Sequence, residues 1–218
     1  MCFVVAPFPG FVELVGSEAD GALFFAGSIG FTTAAALQFL ETLNADPGPG
    51  SRRHHLRLFA VEPRRIDWWS SAVQLVGTLL FNVSTWSALQ TSLSTTQVHR
   101  RVWAPDAFGS ICFLVASYLA YIEVCGAPAC RPRRSLPRWI ATVNLLGSVA
   151  FGASAISSYV LPATGNELDV RITNITTAAG ALCFLVGAVM LLPEGAASSH
   201  APAPPSPTLD DAPTATAA

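Results

Sequence analysis

The sequence contains no lysine and little charge of any kind: Asp, Glu, Lys and Arg together make up 12% of its 218 residues. Soluble domains carry about a quarter charged residues, so half the usual supply for a water-facing surface is missing. Arg provides all twelve cationic side chains, and fourteen acids leave a net charge of −2. That near balance excludes a basic nucleic-acid binder and an acidic disordered chain. The sequence also lacks a phosphate loop, a nucleophile elbow, a dinucleotide fingerprint and a paired His-Glu helix motif. No enzyme, cofactor or metal site is therefore expected. His54 and His55 lie in an Arg-rich loop and read as part of a solvated basic face near anionic lipid. Cys125 and Cys130 do not have the spacing of a C-x-x-C pair.

What the sequence has instead is apolar length. Hydrophobic residues make up 51% of the chain, and its mean hydropathy is +0.47. Five runs, 21–41, 68–89, 107–124, 139–161 and 175–192, contain no Arg. Each is close to the roughly 20 residues that carry a helix across about 30 Å of hydrocarbon, where lipid offers unpaired backbone groups no partner. The runs are apolar or small on every side, unlike the amphipathic helices of a soluble core. The expected fold class is all-α: a polytopic helical membrane protein with five complete transmembrane helices in the lipid bilayer.

The positions of Arg orient it. The first and third loops carry nine Arg and the second and fourth only three. The loop over 42–67 is thus expected in the cytoplasm, the N-terminal end outside, and the C-terminus inside a plasma membrane. Trp68, Trp69, Trp103 and Trp139 stand at predicted helix starts, as interface anchors do. The tail over 195–218 is rich in Pro, Ala, Ser and Thr and is expected to be disordered.

Each run repeats one motif. Gly27, Gly77, Gly109, Gly147 and Gly180 are each followed by a small residue and, at the fourth position, by Phe. A further small residue follows at the seventh position, so the motif lies on one helical face. Small faces let helix backbones approach closely in lipid, which makes these glycines the expected packing residues. The helices alternate between two types. The first, third and fifth end in Glu41, Glu123 and Glu194, while the second and fourth carry an amide, Gln74 or Asn144, ahead of the Gly. A pattern of two helices per unit makes the repeats parallel. Residues 1–14 match the latter part of the third helix, Cys2-Phe3…Glu13 against Cys112-Phe113…Glu123. They read either as the remnant of a truncated spanning helix or as a short interfacial segment shaped by Pro7 and Pro9.

Two chemistries remain open. The glutamates form either a cytoplasmic-side ring for ions or protons or interfacial ion pairs with Arg64, Arg65, Arg134 or Arg138. The intramembrane amides Gln74, Asn144 and Asn82, with Gln38, serve either interhelical hydrogen bonds or a polar solute.

The stretch Ile66-Asp67-Trp68-Trp69 through Val76-Gly77-Thr78-Leu79-Leu80-Phe81-Asn82-Val83-Ser84-Thr85 resembles the first helix of a YrhK-like domain. Gly109-Ser110-Ile111-Cys112-Phe113-Leu114 resembles the second, so the likeness covers 62–125. The repeat suggests a second, degenerate hairpin over 139–194. The resemblance implies a small bacterial-type membrane domain and assigns no catalytic or ligand residue. Its single-domain pattern departs from this multi-copy chain, so oligomeric state does not carry over. The expected function is a structural or accessory membrane component that packs with copies of itself or with a membrane protein partner. The alternative is a small ion or solute channel or transporter.

Overall fold

The structure, a computed structural model, describes residues 1–45, 56–127 and 135–199, with side chains for all of these except 9 and 192–199. Arg52, Arg53, His54, His55, Cys130, Arg131, Arg133, Arg134, the Glu194 side chain and the tail from 200 lie outside the described residues.

The elements run α1 (Cys2–Val5), α2 (Pro9–Val15), α3 (Ser17–Asn44), α4 (Ile66–Ala88), α5 (Thr95–Val98), a π-helical turn (His99–Trp103), α6 (Ala104–Cys125), α7 (Leu136–Ser157) and α8 (Val170–Ser199). No strand occurs among the described residues. Four helical stretches are long and apolar enough to cross a membrane: Ser17–Asn44, Thr95–Cys125, Leu136–Ser157 and Val170–Leu191. This is the architecture of a multi-pass membrane protein. The second run, 68–89, forms the 23-residue α4, which carries the most serine and amide and packs between α3 and α6.

Helix ends depart from the apolar runs for local reasons. The start of α3 precedes its run because Glu18 and Asp20 in the first turn suit the positive end of the helix dipole. The Asp169 carboxylate caps α8 early, accepting from the backbone N–H groups of Arg171 and Ile172 at 2.9 and 3.0 Å. The third run extends back to Thr95 through the π turn, so Trp103 lies inside a continuous helix. Residues 2–15 form two short helices, since Pro7 and Pro9 supply no backbone donor to join them. Gly16, at φ +82°, then turns the chain into α3.

The long helices pack in chain order, α3 on α4, α4 on α6, α6 on α7 and α7 on α8, and α1 fills the gap between α8 and α3. The motif phenylalanines converge at mid-height. Phe113 is 0% exposed, and its ring centroid lies 5.2, 5.1, 6.3 and 6.0 Å from those of Phe31, Phe81, Phe151 and Phe184. The motif glycines bring the backbones together around them. A Cβ on Gly77 would lie 3.0 Å from the Cys112 Cβ, and one on Gly147 would lie 3.0 Å from the Cys183 Cβ. Cys2 stands in the same relation to Gly27, at 2.8 Å.

Hydroxyls bond the seams between helices. Ser70 Oγ donates to Ala116 O at 2.9 Å, and the hydroxyls of Ser28 and Thr85 are 2.9 Å apart. Those of Ser117 and Ser148 are 2.7 Å apart, and those of Ser154 and Thr177 are 2.6 Å apart.

Candidate functional site

Above the phenylalanine cluster, at the end where α3 begins and α4 and α7 finish, lies a cavity of about 350 Å³. Phe81 and Phe151 line it, as do the hydroxyls of Ser84, Thr85, Ser154, Thr173 and Thr177. Three carboxylates share the wall: Asp20 from the first turn of α3, Asp106 from the first turn of α6, and Glu167 from the loop between α7 and α8. Among the described residues, no Arg or His lines it.

Each acid is placed by a local feature. Pro105 lacks the N–H that would continue the helix, and its ring crowds the preceding turn. That turn widens into the π segment, where the Ala104 N–H donates to His99 O. The widened turn points inward: Trp103 Nε1 donates to Ala155 O at 2.8 Å, and Ser84 Oγ donates to Val102 O at 2.8 Å. Trp103 thus bonds within the bundle. Asp106 follows directly, half-buried on the cavity wall.

The loop carrying Glu167 is a small antiparallel bridge between Val160 and Glu167. Leu161 N–H donates to Asn166 O and Leu168 N–H to Tyr159 O, both at 2.8 Å, while Gly165 turns the tip at φ +71°. The His99 ring stacks on Tyr159 at 4.7 Å, and its Nε2 lies 2.6 Å from Val160 O, which fastens this loop to the π turn.

Burial raises the Glu167 pKa above its ordinary value, and a hydrogen bond from Thr173 partly opposes the rise. Asp20 Oδ1 is buried with no hydrogen-bond partner. A buried acceptor without a donor is costly and rare, and this one belongs to a residue that lines the cavity. The arrangement is three separated acceptors around a partly aromatic chamber.

No family model, curated protein or solved structure matches this chain. The site therefore rests on its own geometry.

The residues singled out in the sequence lie elsewhere. Glu41 and Glu123 are exposed at the far ends of α3 and α6, and neither lines the cavity. The expected pairing of these glutamates with Arg65 is replaced by a nearer one. Arg65 Nη1 contacts Glu62 at 2.6 Å, Nε donates to Asp67 at 3.0 Å, and Nη2 also reaches Asp67. These carboxylates push the Arg65 pKa further up. Gln74 Nε2 donates to Gln38 Oε1 at 3.1 Å, joining α4 to α3. Asn144 lies against Gly187, and both Asn144 Oδ1 and Asn82 Oδ1 are buried without a partner. Gly77 and Gly109 face each other, as do Gly147 and Gly180, while Gly27 faces Cys2 and Phe3.

Asp20, Asp106 and Glu167 escaped the sequence reading because they fall at the edges of apolar runs, where an acid reads as an ordinary boundary residue. The available signal was that all three precede odd-numbered runs, the ends that meet at one end of the bundle.

A second groove of about 350 Å³ runs between α3 and α8 beneath Met1. Small residues line it, among them Gly27, Gly30, Ala34, Ala181 and Ala188.

Proposed function

We propose that this chain is a five-span plasma-membrane protein that binds a positively charged solute in the acidic cavity, as a carrier or solute-binding component. The observation that carries the reading is the gathering of Asp20, Asp106 and Glu167 around one half-open cavity with no cationic side chain on its wall among the described residues. In a low-dielectric setting such a wall favours a cation strongly. This keeps the transporter alternative but moves it from the terminal glutamates to acids at the opposite end of the bundle.

In this reading α4 is the fifth span. Its 23 residues extend about 34 Å at 1.5 Å per residue, and its Ser70 and Ser84 bond to neighbouring helical segments. Nine Arg in the odd loops keep those loops cytoplasmic, so the cavity opens outward and the C-terminus lies inside. The matched Gly-to-Gly and Gly-to-Cys contacts of α4 with α6 and of α7 with α8 support tandem YrhK-like hairpins. The phenylalanine floor argues for a binding chamber closed on the inner side and against an open pore.

The test is uptake of labelled cations into proteoliposomes, comparing the parent with Asp106→Asn. Uptake that the substitution abolishes supports the reading, and equal uptake by a folded variant overturns it. A second reading, an accessory protein acting through helix packing, is favoured by the α3–α8 groove. It predicts that Gly30→Leu disrupts an assembly and leaves cation binding intact.

A further inference from the structure

We infer that the cavity takes a small organic cation, an amine or guanidine with apolar carbon, in preference to a metal ion. This rests on the cation-binding reading above and names its ligand class.

The carboxylates come from three separate elements, and among the described residues no group of three His, Cys, Asp or Glu stands close enough to hold a metal. A calcium ion requires six to eight oxygens at about 2.3–2.6 Å, and magnesium a tight octahedron. Scattered acceptors do not supply that shell, but they suit the N–H groups of an ammonium or guanidinium, which point in several directions.

The rest of the wall fits the carbon part of such a molecule. Phe24, Phe81, Phe151 and Trp103 line the chamber, and aromatic faces attract organic cations most strongly when both are out of water. The volume, about 350 Å³, lies at the small end of ligand pockets. One buried acceptor awaits a donor: Asp20 Oδ1 has no hydrogen-bond partner, and the Asp106 carboxylate borders the same cavity.

The test uses the full chain in lipid nanodiscs, at constant ionic strength. Thermal unfolding and calorimetric titration would be run with butylammonium, 1,4-diaminobutane and guanidinium, and in parallel with sodium, magnesium and calcium. The expected result is a raised unfolding temperature and saturable binding with at least one organic cation. Asp106→Asn should weaken that binding at least tenfold, and Glu123→Gln should leave it unchanged. Should Asp106→Asn fail to fold, Glu167→Gln on the connecting loop serves as the second variant.

Binding of metal cations alone, lost on Asp106→Asn or Glu167→Gln, would overturn the organic-cation inference and leave the cation site standing. Binding of no cation of either kind would remove both. Organic-cation binding indifferent to both substitutions would place the ligand elsewhere and overturn the inference.

Discussion

Gly77 and Gly109 meet across the α4–α6 crossing so closely that a Cβ on either would stand 3.1 Å from the other's carbonyl oxygen. Gly147 and Gly180 stand in the same relation at 3.0 Å across the α7–α8 crossing. Such contact is available only without side chains, and in lipid it replaces the hydrophobic effect as the force holding helices together. Gly109→Ala should destabilise the protein by about 1–3 kcal/mol, because the new methyl meets the Phe81 ring and backbone that cannot yield. Gly152→Ala, with open space around it, should be neutral or stabilising by up to about 1 kcal/mol. Unfolding in mixed micelles would measure both. Equal effects would mean that the crossing is looser than described.

The hydroxyls of Ser117 and Ser148 are 2.7 Å apart in the α6–α7 seam. A double-mutant cycle with Ser117→Ala and Ser148→Ala should return a coupling of about 0.6 kcal/mol and no more than about 1.7. A coupling of zero would show that the two hydroxyls bond independently to other groups.

Glu167 links stability to pH. Its pKa is raised in the fold above the ordinary value near 4.5, so the native chain keeps a proton that the unfolded chain releases. Stability is then greatest below that value and falls as pH rises from it through the raised pKa. Glu167→Gln should flatten this decline. Melting temperatures across pH 4 to 8 would decide, and parallel curves for parent and variant would count against it.

Arg65 binds Glu62, Asp67 and, through Nη2, the Thr42 carbonyl at 3.1 Å, tying the first loop to the end of α3 and the start of α4. Lys keeps the charge but not the planar fork. Arg65→Lys should therefore cost on the order of 1 kcal/mol, a modest figure because the side chain is partly exposed. The difference should shrink in 1 M salt. A loss that does not change with salt would point to packing rather than charge.

The terminal glutamates provide a control for the site. Glu41 and Glu123 are exposed at the end opposite the cavity. The double variant Glu41→Gln, Glu123→Gln should bind a cavity cation as the parent does, measured by the same titration. Loss of binding in a folded double variant would return the site to the end of the bundle that carries these glutamates.

Much of the scaffold was legible from residue order, and the acidic site was not. Gly, small residue and Phe at fixed spacing mark one face of each helix, and Phe31, Phe81, Phe113, Phe151 and Phe184 do meet. Periodicity can reveal this because each face belongs to a single helix. Asp20, Asp106 and Glu167 are far apart in the chain and follow no common spacing, so nothing in the order joins them.

The sequence by itself determined the class of the molecule. Apolar length and scarce charge leave a helical membrane protein as the solution in which every backbone group is paired, and small residues mark where the helices touch. Tertiary structure alone decided where chemistry is possible. The π turn at Pro105 aims Asp106 inward, and the bridge at Val160 and Glu167 carries a third acid over the same space. That convergence arises from packing distant elements, and packing is fixed by contacts among helices, which no single helix encodes.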